Sequence, residues 1–149
     1  MNEQRISVDV RQIEVVLSNG ERLMGETFLQ LHGMLQSGPQ RLSEALNGDD
    51  NFLPLRVAEK IKLINLDQVM AVYTAAAEEY DPLLELGEEH RVRVTPAVGG
   101  PLDAKIFVNL PNGNNRAKDF LNQPRRFLLF LWGEQVAYLA RKRILLVED

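Results

Sequence analysis

Hydrophobic and polar residues alternate along much of this chain. Ile6, Val8 and Val10 are separated by Ser7 and Asp9, and Ile13, Val15 and Leu17 continue with a period of two. That is the spacing of a strand with one buried face. Ser18-Asn19-Gly20-Glu21 follows, and Asn-Gly tolerates the positive φ of a tight hairpin, so residues 22–31 are predicted as the return strand. The period then changes. Leu42, Ala45 and Leu46 make an i, i+3, i+4 apolar face, with Ser37 as a candidate cap, Pro39 in a first turn and Asn47 suited to the helix end. Strands return at residues 52–57, 60–66 and 68–73.

The second half follows the same order. Val92 and Val94 alternate with Arg91 and Arg93, and Val98-Gly99-Gly100-Pro101 makes the turn into a return strand at residues 102–110. Asn114 or Asn115 caps a short helix ending at Leu121-Asn122, and residues 127–132, 135–140 and 144–147 supply the last strands. Residues 41–72 laid over 116–147 at a constant shift of 75 give seven identities in 32 pairs: Arg41/Arg116, Leu46/Leu121, Asn47/Asn122, Phe52/Phe127, Leu53/Leu128, Glu59/Glu134 and Val72/Val147. Average composition gives roughly two by chance. Upstream, a shift of 79 pairs Val15/Val94, Gly20/Gly99, Leu23/Leu102 and Phe28/Phe107, which places four extra residues of the first copy near His32. The expectation is an internal duplication: a first unit at residues 1–76, an acidic linker at 77–89 and a second unit at 90–149. Each unit is a mainly-β small barrel with a short helix, curled so as to protect its edges. The linker carries Glu78-Glu79-Tyr80-Asp81-Pro82 and Gly87-Glu88-Glu89, and residues 74–79 suit a helix.

The run Ile13-Glu14-Val15-Val16-Leu17-Ser18-Asn19-Gly20-Glu21-Arg22-Leu23-Met24-Gly25 resembles the opening hairpin of the Sm-like family, in which an Asn/Asp-Gly turn leads to a return strand containing glycine. Residues 61–72 resemble that family's closing strands. The resemblance implies a tandem pair of Sm-like small barrels. It carries over no functional residue: the helix falls between the second and third strands, Asn65-Leu66-Asp67 stands where a basic-glycine contact to RNA belongs, and Ala140-Arg141-Lys142-Arg143 has no glycine.

Charge divides the chain unevenly. Residues 1–76 hold seven basic and ten acidic side chains, 77–89 six acidic and no basic, and 90–149 ten basic and five acidic, within a net charge of −4. Arg125-Arg126 and Arg141-Lys142-Arg143, brought to one end of the second unit, would form an anion or nucleic-acid contact. Pairing with the acidic linker accounts for the same charges without a partner. The neighbouring aromatics Phe127, Phe130 and Trp132 lie in an apolar strand rather than interleaved with the basic groups as on a single-strand-binding surface. Identity across both copies at Arg41, Asn47, Phe52, Arg116, Asn122 and Phe127 reads as structural, with Phe52 and Phe127 both in the core.

Catalytic chemistry has no visible seat. Phosphate-loop and dinucleotide glycine patterns are absent, and Ser7, Ser18, Ser37 and Ser43 stand outside nucleophile-elbow contexts. His32 and His90 have no second histidine at ligand spacing, and Glu44 with Asp49-Asp50 reads as solvated loop charge, so no metal or cofactor is expected. With no cysteine, a longest apolar run of Phe127 to Trp132 and no signal-peptide pattern at the start, the reading is a cytoplasmic protein without membrane segments. The expected role is a non-catalytic protein-interaction or assembly module, with RNA binding through the basic second lobe as the alternative. Because Phe127-Leu128-Leu129-Phe130-Leu131-Trp132 is apolar on both faces, whereas Phe52-Leu53-Pro54-Leu55-Arg56-Val57 suits an edge strand, the two lobes should pack tightly together, and a homodimer is expected as well.

Overall fold

Alternation, turn residues and short helical stretches translate into structure almost element by element. The computed structural model describes residues 8–30, 41–79, 81–111 and 115–149. The first half runs β1 (Val8–Leu17), β2 (Arg22–Gln30), α1 (Leu42–Asn47), β3 (Phe52–Val57), β4 (Lys60–Asn65), a 3-10 turn Leu66–Gln68 and β5 (Val69–Ala75). A connection of α2 (Ala76–Glu79) and a 3-10 turn Pro82–Leu86 leads to β6 (Glu88–Pro96), β7 (Leu102–Val108), α3 (Ala117–Leu121), β8 (Phe127–Trp132), β9 (Gln135–Ala140), a 3-10 turn Arg141–Arg143 and β10 (Ile144–Glu148). The predicted turn glycines Gly20 and Gly99 have φ of 91° and 90°, a region that side chains disfavour. Ser37, Pro39, His32, Ile6, Ser7, Leu31, Tyr80 and Asn114 lie outside the described residues.

All ten strands form one antiparallel sheet in the order β10-β6-β7-β8-β9-β5-β1-β2-β3-β4. Within it the two halves are ordered alike, fifth-first-second-third-fourth, and meet where β9 pairs with β5. Matched details recur. The ladder between second and third strands is a single pair in each half, Glu26↔Arg56 and Lys105↔Leu131. The Leu66 amide bonds to the Asn51 carbonyl as the Arg141 amide does to the Arg126 carbonyl. The sheet is open, with β4 and β10 as its edges, so each half is mainly β without its strand pairing closing on itself.

Three expectations change. The acidic linker is shorter than residues 77–89, because Glu88 and Glu89 pair with Val108 and Phe107 as the start of β6. β3 is not an edge: it lies between β2 and β4. Pro54 is tolerated there because its carbonyl points toward β2, accepting from Thr27 Oγ1 at 2.8 Å, where the ladder is nearly absent and no amide is needed. The second helix also begins later than predicted, with Arg116 at its N-cap, the place Arg41 holds in α1.

Two cores sit on opposite faces of the central strands. The first gathers Ile13, Val15, Leu29, Leu42, Leu46, Leu53 and Leu55 of the first half with Phe127, Val136 and Tyr138 of the second. The second gathers Val92, Val94, Ile106, Phe120, Leu128, Phe130 and Leu139 with Val16, Met70, Ala71 and Tyr73 of the first half. Leu129 and Leu131 pack on the first core while Leu128 and Phe130 lie in the second, so β8 is covered on both faces by the packing of the two halves, as its unbroken apolar sequence requires. Phe127 is 1% exposed, but Phe52, expected in the core, is 52% exposed. Ile61 and Leu63 of β4, on the same face as Phe52, are exposed as well.

Candidate functional site

The basic residues predicted to converge do so. Arg125 and Arg126 follow α3, Arg141–Arg143 join β9 to β10, and the segments are tied by Arg141 N to Arg126 O at 2.9 Å and Arg141 Nε to Arg125 O at 3.2 Å. Together with Lys142 they line one groove beside Leu66, Asp67, Val69, Pro124 and Ala140. Their partners, however, are α1 and loops of the first half rather than the linker. Arg125 donates to Ser43 Oγ at 2.8 Å, Arg126 to the Asp50 carbonyl at 3.1 Å and Asn51 Oδ1 at 3.0 Å, and Arg143 to the Asp67 carbonyl at 2.9 Å. Lys142 is exposed. Phe127 and Phe130 are buried and Trp132 is at the far end of β8 against Tyr73, so the groove carries no aromatic platform for stacking bases.

The acidic connection is used differently from expectation. Glu79 is buried, and its carboxylate accepts from three elements: the Arg11 guanidinium on β1, the Tyr138 hydroxyl on β9 and the Leu42 amide of α1 at 3.0 Å. Glu78 Oε2 lies 3.0 Å and Asp9 Oδ2 3.7 Å from the same guanidinium. Burial, reinforced by the Glu79 carboxylate, pushes the Tyr138 hydroxyl far above its ordinary value of 10.0, so it stays a donor. A carboxylate saturated by three donors is a fastening rather than a general base. It also explains why α1 lacks a side-chain cap of its own: Glu79 satisfies its first amide from 37 residues away. Sequence reasoning missed this cluster, but a signal existed. Arg11 stands in phase with Ile13 and Val15 on the inward face of β1, and a cation on an inward face requires an acid beside it.

At two of the repeated positions the side chains of both copies make bonds within the chain. Asn47 Nδ2 donates to the Ser43 carbonyl at 3.1 Å and Asn122 Nδ2 to the Lys118 carbonyl at 2.8 Å, the same bond at equivalent helix ends. Arg41 pairs with Asp81 at 3.4 Å, while Arg116 Nε donates to Asp119 Oδ2 at 3.0 Å, holding that carboxyl below the usual range. One difference stands out. Asn47 Oδ1 accepts from the Phe127 amide of the other half at 2.8 Å, whereas among the described residues Asn122 Oδ1 accepts nothing.

Both sheet edges mix charged and apolar residues, with Lys60 and Lys62 on β4 and Glu148 on β10. Ile61 and Leu63 on β4, and Leu145 and Leu146 on β10, are large exposed hydrophobics. The strand register sets Pro54 opposite Leu63 and Arg56 opposite Ile61, so Phe52, Ile61 and Leu63 share one face.

His90 Nε2 contacts the Asn115 carbonyl at 2.8 Å and Glu88 at 2.8 Å, which raise its pKa above the ordinary 6.5. Among the described residues no group of three or more His, Asp or Glu is placed to hold a metal, and no helix is long and apolar enough to cross a membrane. Comparison of the chain with protein-family models, curated proteins and solved structures returns no match.

Proposed function

We propose that the protein is a non-catalytic interaction or assembly module that binds its partner by adding a strand to an exposed sheet edge. The observation that carries this reading is the exposed apolar face of Phe52, Ile61 and Leu63 beside β4, which among the described residues pairs only with β3. Soluble proteins guard such edges, because free amides and carbonyls beside apolar side chains template further pairing. Strand addition uses both features, main-chain hydrogen bonds for affinity and alternate side chains for specificity. The matched order and registers of the two halves support their origin from one duplicated small-barrel unit of the Sm-like kind. Engagement of Arg125, Arg126 and Arg143 with α1 and loops of the first half favours this reading over RNA binding.

Affinity capture from the native host with wild-type chain and Leu63→Asp tests it. The expected result is a protein partner retained by the wild type and lost by the variant, with a 260/280 nm absorbance ratio typical of protein alone. RNA retained equally by both, and released when Arg125, Arg126 and Lys142 are changed to Ala, would replace the reading with the RNA one.

A further inference from the structure

We infer that the cavity enclosed by the connection, α1 and the second half is a small-molecule site for a monocarboxylate with an apolar body. This goes beyond strand addition at the sheet edges, since among the described residues none of β4 or β10 lines the cavity. Its volume of 360 Å³ falls within the range of about 300–1,000 Å³ that small ligands occupy. Apolar walls come from four elements: Leu84 of the connection, Phe107 of β7, Phe120 of α3 and Leu129 of β8.

A few polar groups converge on these walls, and the acids among them are already engaged. Glu79 is saturated by its three donors. Asp81 Oδ1 accepts from the Leu83 amide at 3.0 Å, and its Oδ2 lies 3.4 Å from Arg41. Those bonds fix the turn that carries Leu84, so the wall it supplies is formed in advance. Arg125 differs. It is exposed at the cavity's mouth, donates to the uncharged Ser43 Oγ at 2.8 Å, and among the described residues has no carboxylate beside it. Tyr138 lines the same cavity, and its hydroxyl, raised chiefly by burial, is lowered in part by the Arg125 charge. One uncompensated guanidinium beside one hydroxyl suits one carboxylate, which can accept two parallel hydrogen bonds. A phosphate dianion would bring a second negative charge near Asp81 with no further cation to meet it.

The first half shows the same place without this chemistry. Phe107 matches Phe28 at the shift of 79, and Phe120, Gln123, Arg125 and Leu129 match Ala45, Gly48, Asp50 and Pro54 at the shift of 75. Those five first-half residues line a groove of 900 Å³ beside α1 and β3. There the side chains are smaller, an aspartate stands in place of the arginine, and no described residue of the connection closes the space. The second half therefore differs in three respects at once: enclosure, apolar bulk and the sign of the charge. All three favour an anionic ligand with an apolar body.

Isothermal titration calorimetry on the full chain tests this, with octanoate and 3-phenylpropionate as probes and octanol as the uncharged counterpart. Acids of about ten non-hydrogen atoms should bind at about 1 mM or tighter. Arg125→Gln, at an exposed position, should leave the melting curve in place. It should weaken both acids roughly tenfold or more and leave octanol unaffected. Leu84→Trp fills the cavity and should remove acids and octanol alike. In two-dimensional NMR of the wild type, octanoate should shift the amides of Leu84, Phe107, Phe120 and Leu129. Should Leu84→Trp fail to fold, the Arg125→Gln comparison and the shift map decide alone. Absence of binding by both acids at about 10 mM, equal affinity in wild type and Arg125→Gln, or shifts centred on residues 141–143 overturns the inference.

Discussion

Replacing Glu79 by alanine removes, in one step, the acceptor that three separate elements share. The Arg11 guanidinium, the Tyr138 hydroxyl and the Leu42 amide all end on that carboxylate. Breaking a buried ion pair from one side costs about 3–5 kcal/mol, because the surviving charge stays buried without its counter-ion. Arg11 keeps Glu78 at 3.0 Å and Asp9 at 3.7 Å, both reaching water, which moves the electrostatic cost toward the lower end. The orphaned hydroxyl and amide add about 1 kcal/mol or more each. A total near 5 kcal/mol follows, equivalent in a chain of this size to roughly 10–20 °C in melting temperature. Tyr138→Phe leaves the carboxylate two donors and should cost about 1–2 kcal/mol. Equilibrium urea denaturation measures both, with the midpoint moving and the slope unchanged. Glu79→Ala combined with Tyr138→Phe should cost less than the sum of the two, since both delete one bond. A loss below about 1 kcal/mol for Glu79→Ala, or strict additivity in the double variant, would show that the junction is not held by this carboxylate.

Gly25→Ala places a Cβ against the Arg56 carbonyl, next to the one ladder pair joining β2 to β3; backbone cannot yield cheaply, and a loss of about 2–3 kcal/mol in urea melts is expected. Phe127→Ala should cost about 3–5 kcal/mol while Phe52→Ala, measured on the purified chain, stays near or below about 1 kcal/mol, and equal losses would contradict their burial. His90 is raised chiefly by its bond to the Asn115 carbonyl and then by Glu88. Its stabilisation is therefore complete below about pH 6.5 and is lost as pH rises through the higher folded value. Melting temperature against pH should fall across that window in the wild type and flatten in His90→Gln.

Much of the fold was legible because local pattern and tertiary environment agree. β3, β8 and β9 run over the residues their apolar runs and turn signals predict, and Gly20 and Gly99 sit in the turns their conformation demands. The failures have a common cause: each concerns which surface another element covers, and that is not written in local periodicity. Glu79 looked like one acid in a solvated run, yet the fold brings Arg11 and Tyr138 to it from 68 and 59 residues away. The basic cluster was recognisable as residues that converge, but its partners on Ser43, Asp50 and Asp67 depend on how the halves are joined. Two barrels were expected from strands short enough to curl, whereas the halves share their edges in a single sheet.

The pair Phe52 and Phe127 carries this one step further. Their identity suggested one role, and within the isolated chain they have two: Phe127 is sealed under the first half and Phe52 faces solvent. If cover inside the chain alone decided composition, the exposed face of β3 and β4 would need no large apolar residue. A lone exposed hydrophobe requires no explanation. Phe52, Ile61 and Leu63 are three on one face, beside a free edge, each matching a buried counterpart. A face that stays apolar at the positions where its duplicate is covered has the composition of a covered face. That is the physical content of the strand-addition reading, and it predicts a difference that folding measurements cannot show. Phe52→Ala, nearly neutral for folding, should weaken partner capture as Leu63→Asp does, and affinity capture with the variant measures it. Unaltered capture by Phe52→Ala would mean that the edge pairs without its flanking face.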